Sequence, residues 1–73
     1  MQQYNDVDND SNVDAFEIGD DYIVIKFLDG SIYTYTYFSA GSHHIEEMKR
    51  LASHHDGLNA YINSHRPKYV SKK

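Results

Sequence analysis

Histidine is the residue type in this chain best suited to metal or acid–base chemistry, and the sequence holds five. His43-His44 and His54-His55 form two adjacent pairs, and His65 stands alone. If both pairs lie on one helix, the eleven residues that separate them span ~16 Å, which is too far for one ion. Adjacent side chains on a helix also diverge by about 100°, which prevents chelation within a pair. With no cysteine and no serine placed by a motif beside His55-Asp56, we expect a non-enzymatic protein that has no metal and no cofactor.

Tyrosine is the second residue type with chemical potential, and seven are present. Tyr33, Tyr35 and Tyr37 alternate along one stretch, so they share a face if that stretch is a strand. An exposed row of this kind stacks unpaired bases, whereas a covered row belongs to the core. We expect the row to be core, which leaves Tyr22 and Tyr61 as the exposed rings.

The charged residues are distributed unevenly. The formal net charge is −4, yet residues 1–21 hold seven acids and no lysine or arginine, whereas residues 22–73 hold four acids and seven of these bases. An acidic leader therefore precedes a mildly basic body, and the net charge does not exclude a polyanionic partner. The candidate phosphate-binding cations are Lys49, Arg50, Arg66, Lys68, Lys72 and Lys73, with Tyr61 as a base-stacking ring. The alternative is a solvated cationic terminus.

A β-hairpin is predicted over residues 22–38, where two runs of β-branched and aromatic residues flank Asp29-Gly30. A two-residue loop would place Phe27 opposite Ile32, whereas a three-residue loop with a left-handed Gly30 places Phe27 opposite Ser31. We favour the three-residue loop because it gathers one set of side chains on a single face: Ile23, Ile25, Phe27, Tyr33, Tyr35 and Tyr37. The other face then carries Lys26, Thr34 and Thr36 with Val24 and Ile32. A shorter strand is predicted before the hairpin, around Phe16 and Ile18.

Two helices are predicted after Phe38. Ser42 is expected to cap the first, Gly57 to end it, and Ile45, Met48, Leu51 and Ala52 to form its buried stripe. The second begins near Leu58 and ends before Pro67, because the residue before a proline disfavours helical geometry. Asn59 either contacts a ligand or satisfies backbone groups at the Gly57 junction, and we expect the second role.

These elements predict an α+β fold in which a three-stranded antiparallel β-meander is followed by two short helices packed on one sheet face, in the order β-β-β-α-α. Residues 1–10 are expected to be a disordered acidic tail, 11–69 a single domain and 70–73 a frayed basic C-terminus. No apolar run is long enough to span a membrane, and a chain without cysteine suits the cytoplasm. Because so short a chain buries only a small core, its oligomeric state is either a monomer or a homodimer that buries further surface.

With these elements assigned, the chain resembles the KTSC domain family, which is found at the C-terminus of some lysyl-tRNA synthetases and as a stand-alone bacterial or phage protein. The resemblance begins at Ser11-Asn12-Val13, continues through the central Tyr33-Thr34-Tyr35, and covers the chain to Tyr69. Its closing part comprises Ala52, Ser53, Gly57, the run Leu58-Asn59-Ala60-Tyr61-Ile62 and Tyr69. The chain differs from the family pattern at residues 39–42 and at Asn63.

The resemblance implies a small binding module and marks Tyr33, Tyr35, Gly57, Asn59, Ile62 and Tyr69 as family-motif residues. Its association with a synthetase makes RNA the first partner to consider, with Lys49, Arg50, Tyr61, Arg66 and Lys68 as the contacts that the residue types favour. Such binding should be weak and salt-dependent. The alternative is a protein-binding or self-associating module that uses Val24, Leu28 and Ile32 as an apolar patch.

Overall fold

The β-hairpin at the centre of the fold has the predicted register. In the computed structural model, which describes residues 1–5 and 12–73, strand β3 (Tyr22–Phe27) pairs with β4 (Ile32–Thr36) so that Ile25 lies opposite Tyr33. The Phe27 N–H donates to the Ser31 carbonyl over 2.9 Å, and Gly30 has a φ of +91°. Glycine adopts this backbone conformation without the steric penalty of a Cβ, which explains the three-residue turn.

The sheet is wider than the predicted meander. The described residues form five antiparallel strands in the order β1 (Gln2–Gln3), β2 (Val13–Ile18), β3, β4 and β5 (Ser71–Lys72). The antiparallel α+β class is confirmed, but the prediction of three strands is wrong. Two-residue strands show no alternation of side chains, so the sequence pattern could not reveal β1 or β5.

Residues 1–5 do not form the disordered tail that their composition predicted. Tyr4 is 5% exposed, and its ring packs edge-on against Phe16 with centroids 6.2 Å apart. The buried ring, the pairing of β1 with β2 and the hydrogen bond from the Tyr4 N–H to the Asp14 carbonyl together offset the ordering of this short polar segment. The rest of the predicted tail and the Ser11 end of the family motif lie outside the described residues. The predicted frayed C-terminus is likewise replaced by pairing of Lys72 with Tyr33.

Three helices follow the central strands in the described part of the chain. A short helix, α1 (Tyr37–Ala40), ends the strand earlier than predicted, because Thr36 and Ser39 form a reciprocal capping box. Tyr37 therefore leaves the predicted tyrosine row. Helix α2 spans Ser42–Ser53 and α3 spans Leu58–His65, close to the predictions.

The helix ends differ from the sequence prediction. Gly41, not Ser42, is the N-cap of α2, and no side chain caps that end. Helix α2 ends at Ser53, so His54 and His55 lie beyond it. Gly57 does not end α2 but is the N-cap of α3, with a φ of +83°.

The hydrophobic core lies between one face of the sheet and helices α2 and α3. Its fully buried side chains come from β2, β3, α2 and α3, and they include Phe16, Ile23, Ile25, Ile45, Met48 and Leu58. The opposite sheet face carries Val24, Ile32 and Thr34, which are half-buried among their neighbours. None of the described helices has the length and apolar character that a membrane crossing requires.

Candidate functional site

A cleft of about 900 Å³ opens between the β3–β4 turn and the C-terminal end of α3. Its wall is aromatic, and its rim is polar. The aromatic residues are Phe27, Tyr33, Tyr35 and Tyr69, and the polar ones include Asn12, Asp29, Ser31, Asn63 and Arg66. Four aromatic rings beside several hydrogen-bonding groups are typical of a site for a flat, polar ligand.

The three tyrosines of the cleft form one ordered cluster. The Tyr33 and Tyr35 rings are nearly parallel, with centroids 6.2 Å apart, and Tyr69 meets Tyr33 edge-on at 4.8 Å. Tyr35 is 2% exposed, and its burial raises its pKa to about 12, with smaller contributions from Tyr33 and Tyr69. Tyr69 is 49% exposed. The cluster therefore has a buried base and one accessible ring.

The tyrosine row predicted from the sequence divides in the structure. Tyr35 belongs to the core as expected, Tyr33 is half-buried at the cleft, and Tyr37 lies on α1. The accessible ring of the cleft comes instead from Tyr69, which follows α3 in a segment without regular structure. The family resemblance marked Tyr69, but the sequence around it has no periodic pattern from which its position beside Tyr33 could be predicted.

Cations border the aromatic cluster on the β5 side. The register of β5 sets Lys72 opposite Tyr33, and the Lys72 ammonium lies 5.3 Å from the centroid of the Tyr33 ring. Interaction with the Tyr33 side chain raises the pKa of Lys72. Arg66 lines the cleft, and Lys68 lies exposed between Arg66 and Tyr69 in the sequence. Within residues 1–5 and 12–73, none of these three cations forms an ion pair. They are therefore available to an anionic ligand.

Lys49 and Arg50, two further cations of the predicted patch, are held by carboxylates on α2. The Lys49 ammonium lies 2.9 Å from Glu46 and donates to the Asp20 carbonyl over 2.7 Å, and its side chain is only 15% exposed. Arg50 pairs with Glu47, whose pKa it lowers mainly by hydrogen bonding. Of the six predicted cations, Arg66, Lys68, Lys72 and Lys73 have no carboxylate partner within residues 1–5 and 12–73.

Tyr61, the predicted stacking ring, is covered by histidines. Its ring stacks on His65 with centroids 4.0 Å apart, and its hydroxyl lies 2.6 Å from His44 Nδ1. Burial raises the pKa of Tyr61. Tyr22, the other ring expected to be exposed, is half-buried and donates to Glu17 over 3.2 Å. Neither ring lines the cleft.

The histidines do not assemble a metal site in the described part of the chain, where no three metal-ligating side chains converge. His44 and His65 contact the Tyr61 ring, and His43 contacts His44. His55 packs instead against Tyr4 and Phe16. His55 Nδ1 accepts a hydrogen bond of 2.9 Å from the Asn5 backbone. His55 thus has a structural role, because it holds the N-terminal segment through Tyr4 and Asn5.

The family-motif residues around α3 have mainly structural positions. Gly57 adopts the left-handed backbone, Ile62 packs on the core and lines the cleft, and Asn59 is half-buried on α3. The backbone group at the Gly57 junction is satisfied by Tyr4 and not by Asn59, since the Leu58 N–H donates to the Tyr4 hydroxyl.

Comparisons of this chain with protein-family models, with curated proteins and with solved structures find no match. The candidate site therefore has to be interpreted from its own geometry.

Proposed function

We propose that this protein is a non-enzymatic, KTSC-type module that binds single-stranded RNA at the aromatic cleft. The observation that carries the proposal is the half-exposed Tyr69 ring, set edge-on to Tyr33 and bordered by Arg66 and Lys72. Stacking of a base on an aromatic side chain contributes about 1–3 kcal/mol and tolerates every base, because each base has a π face.

The proposed phosphate contacts are Arg66, Lys68 and Lys72. Each phosphate that a cation neutralises on a single strand contributes about −0.7 to the slope of log K against log salt concentration. Three contacts therefore give weak binding that falls steeply as salt rises. This site retains Arg66, Lys68 and Lys72 from the predicted cations. It replaces Tyr61 by Tyr69 as the stacking ring, because the Tyr61 ring already stacks on His65.

A nuclear magnetic resonance titration with a mixed-sequence RNA oligomer, at low and at moderate salt, tests the proposal. We expect the amides of Tyr33, Tyr69 and Lys72 to shift at low salt and to shift much less at moderate salt. Tyr69→Leu should weaken binding by about tenfold, the loss expected for one stacked base. Tyr22→Leu is the matched control, because Tyr22 lies outside the cleft. No shift at low salt, or equal affinity of both variants, would exclude this site.

A second candidate function is protein binding or self-association through the open sheet face. Val24 and Ile32 lie on the face that no described helix covers, and they supply a small apolar surface. Leu28, the third residue of the predicted patch, lines the cleft instead. Sedimentation of the wild type and of Val24→Thr at two salt concentrations separates the candidates, since apolar association responds little to salt.

The cytoplasm is the compartment that we propose for this module. The chain contains no cysteine from which a stabilising disulfide could form, and RNA is a cytoplasmic partner. Localisation of a fluorescent fusion in the native cell tests this assignment.

A further inference from the structure

Asp29 is the carboxylate that lines the cleft among the described residues, and its position is fixed by the β3–β4 turn. Its Oδ1 accepts hydrogen bonds from the Ser31 backbone N–H at 2.9 Å and from the Ser31 hydroxyl at 2.6 Å. These two bonds, the hydroxyl first, lower the pKa of Asp29. The lowered pKa keeps the carboxylate ionised at neutral pH, and the bonds from Ser31 to Oδ1 leave Oδ2 as a second hydrogen-bond acceptor.

An ionised carboxylate at this point limits which part of a nucleotide can approach it. It repels phosphate, and it has no hydrogen to donate to a base carbonyl. It does accept hydrogen bonds from exocyclic amino groups, as carboxylates do from cytosine N4. Uracil has the same size and ring shape as cytosine but presents a carbonyl oxygen in place of this amino group.

We infer that Asp29 makes the cleft selective for a base that carries an exocyclic amino group, so that cytosine binds in preference to uracil. The inference rests on the proposed function, because it assigns specificity to the same RNA site. In this arrangement the base stacks on Tyr69, its amino edge meets Asp29, and the adjoining phosphates contact Arg66 and Lys68. Asp29 is thus a specificity-determining residue and not a residue that supplies affinity for the strand as a whole.

The test measures the affinity of labelled cytidine and uridine octamers by fluorescence anisotropy, at neutral pH and low salt. We expect the wild type to bind the cytidine octamer about fivefold more tightly, the fold-change of a base-edge contact at the lower end of its range. Two pyrimidine strands of equal length and charge differ in this comparison chiefly at the amino or carbonyl edge.

Asp29→Asn is the matched variant, because its amide oxygen can still accept the hydrogen bonds from Ser31 and so preserves the turn. Its amide nitrogen donates, so we expect the preference for cytidine to disappear or to reverse toward uridine. Equal binding of both octamers by the wild type would overturn the specificity inference and leave the RNA proposal standing. Preserved cytidine preference in Asp29→Asn would overturn it as well. Absence of binding to either octamer would overturn both.

Discussion

The Tyr4 hydroxyl accepts a hydrogen bond of 3.2 Å from the Leu58 backbone N–H, although the two residues are 54 positions apart. Leu58 opens α3, and the Gly57 N-cap provides no side chain for the unpaired N–H groups of that helix end. Tyr4, just after β1, therefore performs from a distant part of the chain the role that a capping serine or aspartate performs locally. The same ring fills the core beside Phe16. The N-terminal segment and α3 thus stabilise each other.

Tyr4→Phe should lower the free energy of unfolding by about 1–3 kcal/mol, because the ring is kept while the buried Leu58 N–H loses its acceptor. Tyr4→Ala should lower it by about 3–5 kcal/mol, since the core also loses the ring. Urea denaturation followed by circular dichroism measures both. Tyr22→Phe is the control, because it removes a tyrosine hydroxyl from an exposed hydrogen bond. If the two phenylalanine variants were equally stable, the capping role of Tyr4 would be wrong.

The accessible and the sequestered cations should behave differently in RNA binding. Arg66→Gln and Lys72→Gln should each reduce the magnitude of the salt slope by about 0.7, the contribution of one phosphate contact on a single strand. Lys49→Gln should leave the slope unchanged, because Glu46 and the Asp20 carbonyl already hold its ammonium. Binding isotherms at several salt concentrations measure these slopes. A reduced salt slope in Lys49→Gln would show that Lys49 does contact a phosphate, which contradicts this prediction.

Gly30→Ala should lower the free energy of unfolding by about 1–2 kcal/mol through backbone strain alone. The φ of Gly30 is +91°, and a Cβ built there meets no atom within 4 Å, so no steric clash adds to the penalty. Gly30→Asn should be milder, because asparagine tolerates left-handed backbone better than alanine does. Thermal unfolding distinguishes the two variants. Equal melting temperatures for wild type and Gly30→Ala would argue against the three-residue turn.

Stability should fall between pH 10 and pH 12 because of Tyr35, whose pKa is raised from 10.0 to about 12. In that interval the unfolded chain ionises this tyrosine while the folded chain keeps it protonated, so the stabilising contribution is complete below pH 10 and is lost as pH rises. The loss should be up to about 2 kcal/mol. Denaturation across this range measures it, and tyrosinate absorbance should include a component that titrates near pH 12. Tyr35→Phe should weaken the pH dependence, and an unchanged profile would contradict the assignment.

The sequence predicts the central hairpin well because two local signals agree there. The grouping of apolar and aromatic side chains on one face favours the three-residue loop, and Gly30 can adopt the left-handed backbone that this loop needs. The structure has the resulting register, with Ile23 opposite Tyr35. The sequence also predicts the buried stripe of α2, in which Ile45, Met48 and Ala52 are buried. Strong periodicity over several residues makes such elements predictable.

The cleft could not be predicted because its parts come from segments without periodicity. Tyr69 reaches Tyr33 only through the path of the chain after Pro67, and Lys72 reaches it through a two-residue strand. Tyr4 likewise stands alone in a polar stretch, so composition favoured disorder. The pairing of Lys49 with the Asp20 carbonyl joins residues 29 positions apart and leaves no mark in the local sequence. Each of these positions is set by a tertiary contact of a single residue, which local sequence patterns do not reveal.

In the described sheet, the two edge strands are β1 and β5, and each has only two residues. A long unpaired edge is a template on which a second chain can add a strand and begin to aggregate. Removal of the residues of β1 would uncover the backbone of β2, and removal of those of β5 would uncover β4. We therefore expect β1 and β5 to hinder edge-to-edge polymerisation, and variants that lack them should lose solubility before they lose their core.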